Sequence, residues 1–89
     1  MNRLVKWRDR SHQFSERPER WVPEAVIFVQ HGSSVTEHIL HLSDADIEKV
    51  KQGEWIFPTA EAAKVQAYAM AQKGAIEICG GKEVELQEI

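Results

Sequence analysis

Apolar and polar positions alternate with a period of two in three stretches of this chain and recur at helical spacing in two others. Leu4-Val5-Lys6-Trp7 reads as a short strand with Val5 and Trp7 on one face. Ser11 to Pro23 is polar and is punctuated by Pro18 and Pro23, so it reads as loop. Phe14, Trp21 and Val22 within it are expected to anchor it to the body, because disordered segments are poor in aromatics. Ala25 to His31 is a β-branched strand, Gly32-Ser33-Ser34 a turn, and Val35 to Leu42 the return strand. An even-length turn places Ile27 and Val29 on one face with Thr36, His38, Leu40 and Leu42. Val26 and Phe28 then share the other face with Val35, Ile39 and His41. Both faces are apolar at the open end of this hairpin, so its base is expected to be covered on both sides.

A short helix is expected over 44–52. Ser43 caps it, Asp44 and Asp46 stand in its first turn and Lys49 and Lys51 in its last, as the helix dipole favours. Gly53 supplies a left-handed stop. Glu54 to Phe57 reads as a brief strand ended by Pro58. Thr59 is a good N-cap for a helix from Ala60 to Lys73, with Ala63, Ala67, Met70 and Ala71 on one face and Gly74 closing it. Ile76 and Ile78 alternate with Glu77 and Cys79, and Val84 and Leu86 with Glu83 and Glu85. Keeping one face apolar requires a three-residue loop, Gly80-Gly81-Lys82, between two final strands. Glu77 would then face Glu85 across the hairpin, with Glu83 opposite Cys79. The expected fold is α+β: one small domain over 1–89, with an antiparallel sheet of four to six strands, a long helix over about 60–73 on one face and a short helix over about 44–52.

Charge adds an asymmetry that the pattern does not carry. All five arginines, Arg3, Arg8, Arg10, Arg17 and Arg20, lie in the first 20 of 89 residues. With Lys6 they set six cations against Asp9, Glu16 and Glu19, so 1–23 carries +3. The remainder holds five lysines against eleven carboxylates, or −6, and the whole chain is −3. Arginine suits carboxylate and phosphate forks and stacks on aromatic faces. The basic segment of Arg3, Trp7, Arg8, Arg10, Arg17, Arg20 and Trp21 is therefore a candidate partner-binding surface. The expected acidic ridge of Glu77, Glu83 and Glu85 is a second, although such a ridge also blunts an exposed sheet against aggregation. Nucleic-acid binding through the Arg/Trp segment is the alternative. It is disfavoured because the chain's pI is about 5.8 and the acidic body repels a polyanion.

Candidate chemistry is sparse. His31 and His38 share a face, but zinc wants three or four ligands, and no metal site is expected. Cys79 is the only cysteine, which excludes an intramolecular disulfide and fits a reducing compartment. Glutamates beside it would disfavour the thiolate that a nucleophile needs. Gly80-Gly81 lies between expected strands, not between a strand and a helix, so it is no phosphate cradle. No cofactor and no membrane span are expected, and cytoplasmic is the default location. These features favour a small non-enzymatic binding or regulatory protein, an adaptor, inhibitor or accessory subunit, acting by protein–protein contact. Phage-encoded inhibitors fit the same description. A homodimer, through a shared sheet or through opposite charges, is also compatible with the pattern.

Overall fold

The computed structural model describes residues 3–89, and its class is the expected α+β. The elements in order are β1 (Arg3–Asp9), β2 (His12–Glu16), β3 (Glu19–Val22), β4 (Glu24–His31), β5 (Ser34–His41), α1 (Asp44–Lys51), α2 (Ala60–Ile78) and β6 (Val84–Glu88). Four strands form one sheet in the order β5-β4-β1-β6, and β2 pairs with β3. The larger sheet is mixed, not wholly antiparallel: β6 lies parallel to β1, with Val5 beside Leu86. A parallel neighbour needs a crossover, and the segment from β4 through α2 supplies it.

The N-terminal stretch expected as loop is strand. Lys6 faces Phe28 and His12 faces Val22 in one unbroken register, so β1-β2 and β3-β4 form a single long hairpin. It is interrupted at 10–11 and at 23, and the Arg10 N–H still donates to the Glu24 carbonyl at 2.8 Å. A register shift between Gln13 and Ser15 leaves Phe14 as the extra residue of a bulge. Each arm runs about 14 residues, roughly 45 Å at strand rise, and the molecule measures 45 × 23 × 20 Å.

The second hairpin behaves as its pattern predicts. Gly32, at φ 62°, opens a two-residue turn of the kind that matches strand twist, and Val29 faces Thr36 while Ile27 faces His38. Ser43 Oγ accepts from the Asp46 N–H, and Thr59 Oγ1 from the Ala62 N–H, so both N-caps form as expected.

Two expectations about the C-terminal third are overturned. Gly74 does not end α2, which runs on to Ile78. A Cβ at Gly74 would lie 2.6 Å from Leu40 Cδ1, so glycine is there for close approach to β5. Gly80 and Gly81 do not turn a hairpin. The Gly80 N–H donates to the Glu77 carbonyl and the Gly81 N–H to that of Ile76, with φ of 76° and 83°. This is a Schellman stop, and Gly53 ends α1 in the same way, Glu54 N–H reaching the Lys49 carbonyl. Glu54 to Phe57 forms no strand ladder; one bond from the Trp21 N–H to the Phe57 carbonyl ties it to β3.

The core lies between α2 and one sheet face. Val5, Trp7, Ala25, Ile27, Val29 and Val84 meet Ala67, Ala71 and Ala75 of the helix. A second cluster of Val22, Leu42, Val50, Phe57 and Ala63 joins β3, α1 and the start of α2. No helix among the described residues is long and apolar enough to cross a membrane.

Candidate functional site

The face of the sheet opposite α2 is the site the fold builds. Strand alternation turns Leu4, Lys6 and Arg8 of β1 outward, because Val5 and Trp7 are committed to the core. Continuing the β1–β4 register two residues beyond Lys6 and Phe28 sets Glu85, Leu4, Gln30 and Val35 in one row across the strands. Gln87, Lys6, Phe28 and Glu37 form the next, and Glu88's neighbour Ile89 with Arg8, Val26 and Ile39 the third. Neither helix packs here. Leu4 is 53% exposed, Val35 62%, Ile39 51% and Ile89 50%. Lys6, Arg8 and Arg10 follow one another down this side of the ribbon, and Arg10 Nε lies 3.8 Å from Glu24 Oε2. The result is a face on which exposed Leu4, Val35, Ile39 and Ile89 surround half-buried Phe28 and buried Val26, with a basic line through it and carboxylates at its margins.

The candidate residues of the basic segment separate. Arg8 and Arg10 share this face. Arg3 donates to the Gln30 carbonyl at the far end of β1. Arg17 sits exposed in the turn between β2 and β3, and Arg20 donates to the Glu19 carbonyl. Trp7 is not a stacking platform: it is 3% exposed and meets Tyr68 edge to face, with ring centres 5.5 Å apart. Trp21 is half-buried against the second cluster and its Nε1–H donates to Glu19 Oε1. The acidic ridge does not assemble. Because the final hairpin is absent, Glu77 stands on α2, Glu83 in the loop before β6, and Glu85 on the open face beside Leu4.

Two further features were not anticipated. A groove of about 500 Å³ runs between β5 and α2, with Leu40, His41, Asp46, Met70, Lys73 and Glu77 among its walls. On the other flank of α2, Lys64 Nζ lies 2.6 Å from Glu88 Oε2 and 3.0 Å from Oε1, clasping the helix to β6. That hydrogen bond holds the Lys64 ammonium above its usual range. Neither was legible beforehand: the Glu77 wall of the groove depends on α2 continuing past Gly74, and the clasp depends on β6 lying beside β1.

Of the histidines, His31 ends β4 exposed and His38 faces the helix side, its Nε2 buried without a protein partner. His41 Nδ1 lies 3.1 Å from the Leu42 carbonyl oxygen. No group of three His, Cys, Asp or Glu side chains converges among the described residues. Cys79 is a half-buried free thiol at the end of α2. No family model matches this chain, and neither a curated protein nor a solved structure matches it.

Proposed function

We propose that this chain is a small non-enzymatic binding or regulatory protein, an adaptor, inhibitor or accessory subunit, that grips a protein partner with the open face of its sheet. The observation that carries this reading is the company of Leu4, Phe28, Val35, Ile39 and Ile89 with Lys6, Arg8 and Arg10 on one face that neither helix covers. Contiguous exposed apolar surface rimmed by polar groups marks interaction sites, and arginine is enriched in interfaces. The complementary partner is a protein surface that combines apolar side chains with carboxylates. The non-enzymatic reading rests on the character of this face, where the close charged pair, Arg10 with Glu24 at 3.8 Å, is an ion pair rather than a nucleophile with its base. Nucleic acid is the weaker occupant, since Trp7 is buried and Trp21 half-buried, which leaves Phe28 as the aromatic of the face.

The test is affinity capture from the native cell with a photo-cross-linker at Leu4, run on the wild type, on a Lys6→Glu/Arg8→Glu variant and on a Val65→Glu control on the outer side of α2. The expected result is one partner cross-linked by the wild type, kept by the control and lost by the open-face variant. A partner kept by the open-face variant, or lost only from the control, overturns the reading. So does low-salt retention of labelled DNA or RNA that the same open-face variant abolishes, which reassigns the face to nucleic acid.

A further inference from the structure

The two edges of the four-stranded sheet are protected very differently. β6 is five residues long and carries Glu85 and Glu88, with Glu83 just before it. β5 is eight residues long, SVTEHILH, without proline, lysine or arginine, and its pairing with β4 shows no bulge. Short length, bulges, prolines and charges, lysine above all, are the usual safeguards of a free edge, and β5 has little of any of them. The His31–Ser34 pair closes a two-residue turn, so Ser34, Thr36, His38 and Leu40 bond to β4 in the alternating antiparallel pattern. The backbone N–H and C=O groups of Val35, Glu37, Ile39 and His41 therefore point away from the sheet.

We propose that β5 pairs antiparallel with β5 of a second copy of this chain, about a two-fold axis through Ile39. Side chains opposite one another in such a pair share a face, so the axis must pass through one residue. An axis through Glu37 sets carboxylate against carboxylate. An axis through His38 sets that histidine against itself and Glu37 against Ile39. The axis through Ile39 sets Ile39 against Ile39 and the Glu37 carboxylate against the His41 imidazole, a hydrogen-bond acceptor facing an N–H-bearing ring, twice over, and such polar or apolar partners are what cross-strand pairs favour. The same axis suits α2. Gly74 lies against Leu40 and marks where the helix crosses β5. Lys73 and Glu77, on the groove side of that crossing, approach the Glu77 and Lys73 of the other copy. Pairing closes the two grooves against each other and joins the sheets into one of eight strands. The open face of one copy spans roughly 500 Å², below the roughly 800 Å² per partner of a standard interface, and pairing doubles it.

Sedimentation equilibrium of the whole chain from about 1 μM to about 1 mM tests this. The wild type is expected to dimerise. Glu37→Pro, which removes an outward N–H together with the carboxylate opposite His41 and leaves the bonds to β4 in place, is expected to be monomeric with an unchanged circular dichroism spectrum. Glu37→Lys is expected to raise the dissociation constant about tenfold, and Glu37→Lys/His41→Glu to restore it to within about threefold. In a Cys79→Ser background under mild oxidation, Ile39→Cys is expected to cross-link, since a bonded pair lies within disulfide reach, and His38→Cys is not. A wild type monomeric throughout, a dimer indifferent to Glu37→Pro and Glu37→Lys, or a link at 38 in place of 39 would overturn the proposal. The variants at Lys6 and Arg8 lie off this edge, so failure here leaves the open-face reading to its own test.

Discussion

Gly74 sits inside a helix, where glycine is unfavourable by about 1 kcal/mol relative to alanine, and its place there is set by Leu40. A Cβ would meet Leu40 Cδ1 at 2.6 Å and Cδ2 at 3.0 Å. Those atoms end a half-buried side chain that borders the groove, so Leu40 can swing aside at an off-rotamer cost of about 0.5–1.5 kcal/mol. The two effects nearly cancel for alanine. Gly74→Ala is expected to unfold in urea within about 1 kcal/mol of the wild type. Gly74→Leu, which pushes further atoms into the same space, is expected to lose about 3 kcal/mol. Equal losses for both would show that the backbone, not Leu40, meets the new side chain. Trp7 and Arg8 make a second contrast one residue apart. Trp7 is core, so Trp7→Ala is expected to cost about 3–5 kcal/mol. Arg8 is exposed, so Arg8→Ala should stay within about 0.5 kcal/mol in the same titration. The alternation of Leu4-Val5-Lys6-Trp7 already put Val5 and Trp7 on one face. Which face would be covered depended on residues far away in the chain.

Helix ends were legible because their signals are local. Ser43 and Thr59 cap as their types predict, and Gly53 stops α1. The end of α2 was not legible, because Gly74 has a stop's identity with a packing role and because Ile76 and Ile78 suit a strand or a helix equally over three residues. Nor could the strand after Gly81 announce a partner some 80 positions upstream; parallel pairing with β1 leaves no short-range mark. Thr59→Ala is expected to lower stability by about 1 kcal/mol. Gly80→Ala, forced to keep φ near 76°, should lose about 1–2 kcal/mol. Thermal denaturation checks both, and a neutral Gly80→Ala would mean that the Schellman stop is not what ends α2. The Lys64–Glu88 clasp acts between elements. Its folded lysine pKa is raised, so any stability it adds is complete below the unfolded lysine range and is lost as pH climbs through the folded value. Glu88→Gln should therefore differ from the wild type at neutral pH and converge with it in strong alkali.

At the scale of the molecule, the arginines that crowd the first 20 positions become a line along a 45 Å ribbon. Arg3 stands at one end, Arg8 and Arg10 on the open face and Arg17 at the far turn. A cluster in sequence is thus spread in space, and only its middle shares a surface with apolar side chains. The ribbon also separates two roles. Trp21 and Val22 hold its base in the second cluster, while Phe14, Glu16, Arg17 and Pro18 beyond them are exposed. Because one register runs through both halves, residues 14–20 can be replaced by Asn-Gly between Gln13 and Trp21, a favoured two-residue hairpin turn. The shortened chain is expected to unfold cooperatively within about 1 kcal/mol of the wild type, since a shorter loop offsets the few contacts removed. It loses Arg17 and Arg20 but keeps Lys6, Arg8 and Arg10. If the open face holds the partner, the shortened chain still captures it; if the arm holds it, capture fails while the fold survives. Measuring unfolding and capture on this one variant therefore decides between the two halves of the basic segment.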